Sequence, residues 1–118
     1  MGSCWDWAYR IMFEYSAIIT KVYDGDTVTA DIDLGFGIWT KKQKLRLSNI
    51  NAPEVRGANK LAGINSRDAL RGKILGKKVI VKTKKDKKGK YGRWIAEVWI
   101  DNLNVNNWLV KNGYAKDM

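Results

Sequence analysis

The chain has no histidine, a single cysteine and a single proline in 118 residues. Without imidazole there is no histidine-based acid–base catalysis and no His-ligated zinc or copper site. Cys4 alone closes no internal disulfide and builds no Cys-rich zinc site; one free thiol fits a reducing compartment. Any metal site must therefore be made of oxygen ligands, which suit calcium or magnesium. No apolar run is long enough to cross a bilayer. The stretch 1–10 carries Asp6 and lacks the apolar core of a signal peptide, so a cytoplasmic location without a membrane partner is expected. Met1-Gly2-Ser3-Cys4 looks like a lipidated start, but position 6 is aspartate where the myristoylation pattern takes Ser or Thr. Acidic residues are also scarce. Twelve of them against 22 basic ones leave a net charge of +10, which attracts polyanions, nucleic acid first among them.

At 45% hydrophobic residues, the chain can fill one core and no more. Residues 1–11 read as an N-terminal extension and 12–118 as a single domain, expected as a monomer. Ala17–Tyr23 is rich in β-branched residues and ends at an Asp24-Gly25 turn signal. Val28, Ala30 and Ile32 alternate along Thr27–Asp33, so the two runs form a hairpin. After a glycine-hinged turn at 34–37, residues 38–49 read as a third strand. Leu45 and Leu47 share one face of it and Arg46 takes the other. Pro53 ends the pairing. Ser66–Leu75 reads as a helix, with Ser66 as its N-cap and Gly76 behind it. Lys78–Thr83 and Trp94–Ile100 read as strands. Asn104–Asn112 reads as a short helix with Val105, Trp108 and Leu109 inward. Three strands, a helix, two strands and a helix predict a mainly β, α+β protein: an OB-type five-stranded barrel with two short helices.

Three motifs carry chemistry. Asp24-Gly25-Asp26-Thr27 sets two carboxylates at a tight turn. Arg46 is followed by Asn51-Ala52-Pro53-Glu54, and Lys90-Tyr91-Gly92-Arg93 comes later. Two arginines can hold a phosphate through forked hydrogen bonds. A hard cation can neutralise its charge, and a glutamate can orient or deprotonate a water. Taken singly, each motif has an ordinary reading as a turn, a solvated charge or a loop.

Taken together, in this order and spacing, the motifs resemble the staphylococcal-nuclease-like (thermonuclease) domains. The resemblance spans roughly 17–116, including Leu109-Val110-Lys111-Asn112-Gly113-Tyr114-Ala115-Lys116. It implies an OB-type fold and calcium-dependent hydrolysis of single-stranded DNA or RNA that leaves 3′-phosphates. By that resemblance Arg46 and Arg93 lie on the scissile phosphate and Glu54 is the general base. Asp26, Asn51 and the backbone carbonyl of Ala52 hold calcium, or magnesium in its stead. Asp24 stands behind the metal, and Lys90 and Tyr91 bind a terminal phosphate or nucleotide.

Two departures stand out. Asn51 occupies a place that is usually aspartate. An amide oxygen still ligates a hard cation, but one negative charge is gone. Unit charges 4 Å apart interact by roughly 4 kcal/mol at an effective dielectric near 20, so affinity is expected to fall by roughly one to two orders of magnitude after rearrangement. The family's third helix also has no counterpart in these 118 residues, which points to weaker substrate binding or lower stability. Eight lysines between Lys77 and Lys90 read as an electrostatic approach for a phosphate backbone. Tyr91 is suited to stack on a base, whereas Trp94, Trp99 and Trp108 read as core or half-buried. The alternative is a non-catalytic OB-type nucleic-acid-binding module, which the loss of charge at Asn51 favours and the presence of Arg46, Glu54 and Arg93 disfavours.

Overall fold

A computed structural model describes residues 13–55, 57–83 and 92–117. The alternation seen in the sequence becomes strand β1, Phe13–Asp24, and strand β2, Thr27–Gly35, paired antiparallel. In β1 the inward residues are Ala17, Ile19 and Val22, a step that breaks the period of two. A register shift between Ile19 and Lys21 absorbs the extra residue as a bulge, and Val22 turns back to the core. Strand β3, Ile38–Leu47, returns along β2 with Leu45 and Leu47 buried and Arg46 on the other face. It stops two residues short of the expected end, because Asn49 takes a left-handed φ of 60° in a turn.

A two-residue strand β4, Ile50–Asn51, comes next, followed further along by β5, Lys78–Thr83, and β6, Trp94–Ile100. Strand β5 pairs antiparallel with β1, and β6 pairs antiparallel with β5. Residues 94–96 of β6 then lie parallel to residues 45–47 of β3. That last pairing closes a five-stranded barrel, β3-β2-β1-β5-β6 and back to β3, as expected for an OB-type α+β fold. Three short strands escape the sequence pattern: β4 itself, β7, Leu103–Asn104, on β6, and β8, Lys116–Asp117, on β4.

Helix α1 runs Lys60–Ile74, behind a 3-10 turn at Gly57–Asn59. It begins six residues before the expected N-cap, and Ser66 lies buried in its middle. Asn59 stands at the N-cap without a side-chain cap, Leu61 is 79% exposed and Gly63 lowers helix propensity, so the first turns carry little sequence signal. The inward residues are Gly63, Ser66, Leu70 and Ile74. The helix is thus small at one end of its inner face and large at the other. Leu70 and Ile74 fill the core beside Ile19, Leu45 and Leu109.

Helix α2, Val105–Lys111, is capped by Asn104, whose side chain accepts from the Asn107 amide at 3.2 Å. Val105 and Leu109 are fully buried, while Trp108 is half-buried against the core and stacks at 5.7 Å on Tyr114. Asn106 is 2% exposed. Its amide nitrogen donates to the carbonyls of Ser48 and Ala96, and its oxygen accepts from the Val98 amide. One side chain thereby fastens the end of β3 to β6 at the barrel seam. Among the described residues no helix is long and apolar enough to cross a membrane.

Candidate active site

The Asp24–Thr27 turn is built by its own carboxylates. Asp24 Oδ1 accepts from the Asp26 amide at 3.1 Å, which tightens the turn between β1 and β2. Gly25 lets that turn sit against the rest of the protein: a β-carbon there would come within 2.7 Å of Ala52 Cβ and 2.8 Å of Ser66 Cβ. The requirement is for a missing side chain at close range. Ser66 in turn donates to the Tyr114 carbonyl at 2.5 Å, tying α1 to the C-terminal segment.

Asp26 is 6% exposed and fully engaged. Its Oδ1 accepts from the Thr27 hydroxyl at 3.1 Å, and its Oδ2 accepts from the Ala52 amide at 3.0 Å. Arg46 lies 3.3 Å from the same Oδ2. The Arg46 guanidinium also donates to the carbonyls of Leu47 at 2.7 Å and Ile50 at 2.8 Å. Arg46 and Asp26 together close the loop that follows β3 and leads to Glu54. A half-buried pair with several added hydrogen bonds is the form in which an ion pair holds a local geometry.

Thr27 links this pair to the second arginine. Its hydroxyl donates to Asp26 and accepts from Arg93 at 3.1 Å. Arg93, just before β6, thus reaches across the barrel seam to the β2 start. Glu54 is exposed, and its backbone is set by α1. A β-carbon on Gly63 would overlap the Glu54 carbonyl group and the Val55 nitrogen, so the helix touches this loop backbone to backbone. The small end of α1 is what brings Glu54 to the site.

Asp24, Thr27, Glu54 and Arg93 line a single cleft of about 660 Å³. The sequence-derived Asp24, Glu54 and Arg93 are therefore brought together. Asp26 and Arg46 lie behind them, joined through Thr27, and are not part of the cleft lining. Asn51 is exposed on β4 opposite Lys116, and Ala52 is buried against Gly25. Lys90 and Tyr91 lie outside the described residues, as does most of the lysine run. From sequence, Gly25 has a role only as a turn signal, and Thr27 and Gly63 have none of their own. Thr27 is part of a visible motif, but Gly63 reveals itself only through a close approach between distant segments. Lys21, Tyr23, Thr29 and Lys44 complete the cleft together with Val55.

Burial, and then the Asp26 carboxylate beside it, push the Asp24 carboxyl up from its usual 3.8 to about 6. Among the described residues no three acidic, cysteine or histidine side chains gather into a cage. Of the turn's two carboxylates only Asp24 lines the cleft; both oxygens of Asp26 are engaged, by Thr27 and by the Ala52 amide and Arg46. Oxygen donors are the kind a hard cation takes.

The family model of the staphylococcal nuclease homologue matches residues 44–118. The chain is 31% identical over 101 residues to the thermonuclease of Staphylococcus hyicus, covering 83% of this chain and 56% of that protein. It is 34% identical over 112 residues to endonuclease YhcR of Bacillus subtilis, covering 86% of this chain but 9% of that protein. The thermonuclease of Staphylococcus intermedius is 27% identical over 104 residues, with 58% of its length covered. The chain thus spans little more than half of these thermonucleases and a small part of YhcR. A five-stranded barrel closed by β3 and β6, the motifs at its turn and seam, and a match over residues 44–118 place this chain in the staphylococcal-nuclease-like family.

Proposed function

We propose that this chain is a divalent-cation-dependent phosphodiesterase that cleaves single-stranded DNA or RNA. The convergence of Glu54, Arg93, Thr27 and Asp24 on one otherwise basic cleft carries the reading. The relatives named as thermonucleases and an endonuclease support the same class of reaction.

In this reading Glu54 accepts a proton from a water that attacks phosphorus in line, and the 5′ oxygen departs, leaving a 3′-phosphate. A carboxylate is a weak base, so positive charge placed around the anionic transition state does much of the work. Arg93 donates to the phosphate oxygens from the position fixed by Thr27. Arg46 is the second arginine and reaches the phosphate by trading its Asp26 contact for a phosphate oxygen. Asp26, Asn51 and the Ala52 carbonyl, with Asp24 beside them, would hold calcium or magnesium. When bound, the cation supplies positive charge that polarises a phosphate oxygen. With Asn51 replacing a carboxylate, millimolar metal is the expected working range. The engagement of Arg46 by backbone carbonyls and Asp26 favours the rival reading, a binding module without turnover.

The test is cleavage of single-stranded DNA and RNA across a calcium titration, with EDTA and Glu54→Gln as controls. Metal-dependent cleavage that disappears in the variant supports the enzyme. Retardation of the strand without cleavage, equal in both proteins, supports the module.

A further inference from the structure

The cleft extends beyond the catalytic groups along the outer face of β1, β2 and β3. There the register aligns one row across three strands: Lys21 opposite Thr29, and Thr29 opposite Lys44. Thr29 shares its face of β2 with Thr27. The row therefore begins two residues from the site and runs crosswise to the strands. With strands spaced about 4.8 Å apart, the two lysines rise from backbones about 10 Å apart. Tyr23, 45% exposed, stands between this row and Asp24.

Lys21 and Lys44 are set apart by lining the cleft, while some other lysines are engaged elsewhere. Lys41 is paired with Asp31, Lys82 with Glu14, and Lys73 lies over the Trp108 ring. Among the described residues, Lys21 and Lys44 make no ion pair. Two ammonium groups without an acidic partner, both facing the cleft that holds Glu54 and Arg93, form a site for anions in sequence. An exposed tyrosine beside them gives a platform for a planar base.

We propose that Lys21, Lys44 and Tyr23 form an extended subsite for the part of a single-stranded nucleic acid that flanks the scissile phosphate, with the lysines on its backbone and Tyr23 against a base. The location rests on the phosphodiesterase reading. The binding itself does not.

The experiment compares the wild-type chain with Lys21→Gln/Lys44→Gln, with Lys21→Arg/Lys44→Arg, and with Lys78→Gln/Lys111→Gln as a control for lost charge outside the cleft. Substrates are oligothymidylates of two and of twelve nucleotides. For the 12-mer, the Gln pair is expected to raise KM roughly tenfold at low salt and to lower the log–log salt slope by about 1.4. The dimer's KM and kcat stay within about twofold, and the Arg pair and the outside pair behave like wild type. Tyr23→Ala weakens the 12-mer while leaving the salt slope unchanged. Equal length dependence and equal slope in the wild type and the Gln pair would overturn the subsite. If the wild type cleaves neither substrate, the phosphodiesterase reading fails. Fluorescence anisotropy of the 12-mer in EDTA then decides the subsite by the same slope difference.

Discussion

At the scale of single residues, Thr27 is the side chain on which the two halves of the site meet. Its hydroxyl is donor to Asp26 and acceptor from Arg93 at once. Thr27→Val keeps the shape and removes both bonds. Because small misplacement of a positioning group is costly, kcat is expected to fall roughly tenfold to a hundredfold, and the partners left unpaired are expected to cost about 1–3 kcal/mol of stability. Steady-state kinetics beside a melting curve check this. Asp24 makes a separate prediction. Its folded-state pKa of about 6 lies above the usual 3.8, so the folded state holds more protons than the unfolded chain between those values. Stability of the metal-free protein therefore falls as pH rises from about 4 to about 6 and the penalty is complete above that. Asp24→Asn is expected to remove this slope and to raise Tm at pH 8 in EDTA, with no gain at pH 3.5. A parallel shift at every pH would contradict it.

At the scale of elements, α1 gives opposite outcomes for the same substitution at two glycines. Gly72 has open space around it, so Gly72→Ala is expected to stabilise by up to about 1 kcal/mol through helix propensity. Gly63→Ala meets the Glu54 backbone and must push that loop away. If Glu54 acts as proposed, activity is expected to drop at least tenfold while the far-ultraviolet spectrum stays helical, because displacement of Glu54 costs more than propensity returns. The five barrel strands and α2 were legible from local alternation and caps. Asp24, Glu54 and Arg93 were legible as motif members, and they converge. The start of α1 was not legible, because its first turns are justified by a contact with Glu54 rather than by their own periodicity. β4 and β8 were hidden for a related reason: each is two residues long and exists through pairing with the other, across a gap that no local window spans. Lys21 and Lys44 became neighbours of the site only once the register was known.

At the scale of the whole molecule, the barrel is held shut along one parallel seam, and Asn106 is its buried fastener. Asn106→Ala leaves several buried backbone groups without their partner. Unfolding is expected to become easier by about 2 kcal/mol, with a Tm lower by roughly 10 °C in differential scanning calorimetry. Asn106→Asp keeps the acceptor toward Val98 but loses the donor, so it is expected to rank no better. The net charge of +10 acts over the same scale, but on encounter with a polyanion and not on the fold.

The parallel seam also sets a timetable. Residues 45–47 wait for residues 94–96, and Arg93 arrives with the strand that completes the ring. A nascent chain that has emerged only as far as β5 displays Asp24, Asp26, Arg46 and Glu54, yet lacks both Arg93 and a closed wall. The two arginines therefore come together only when residues 94–96 pair with residues 45–47, so a chain lacking β6 is expected to hold no complete phosphate site.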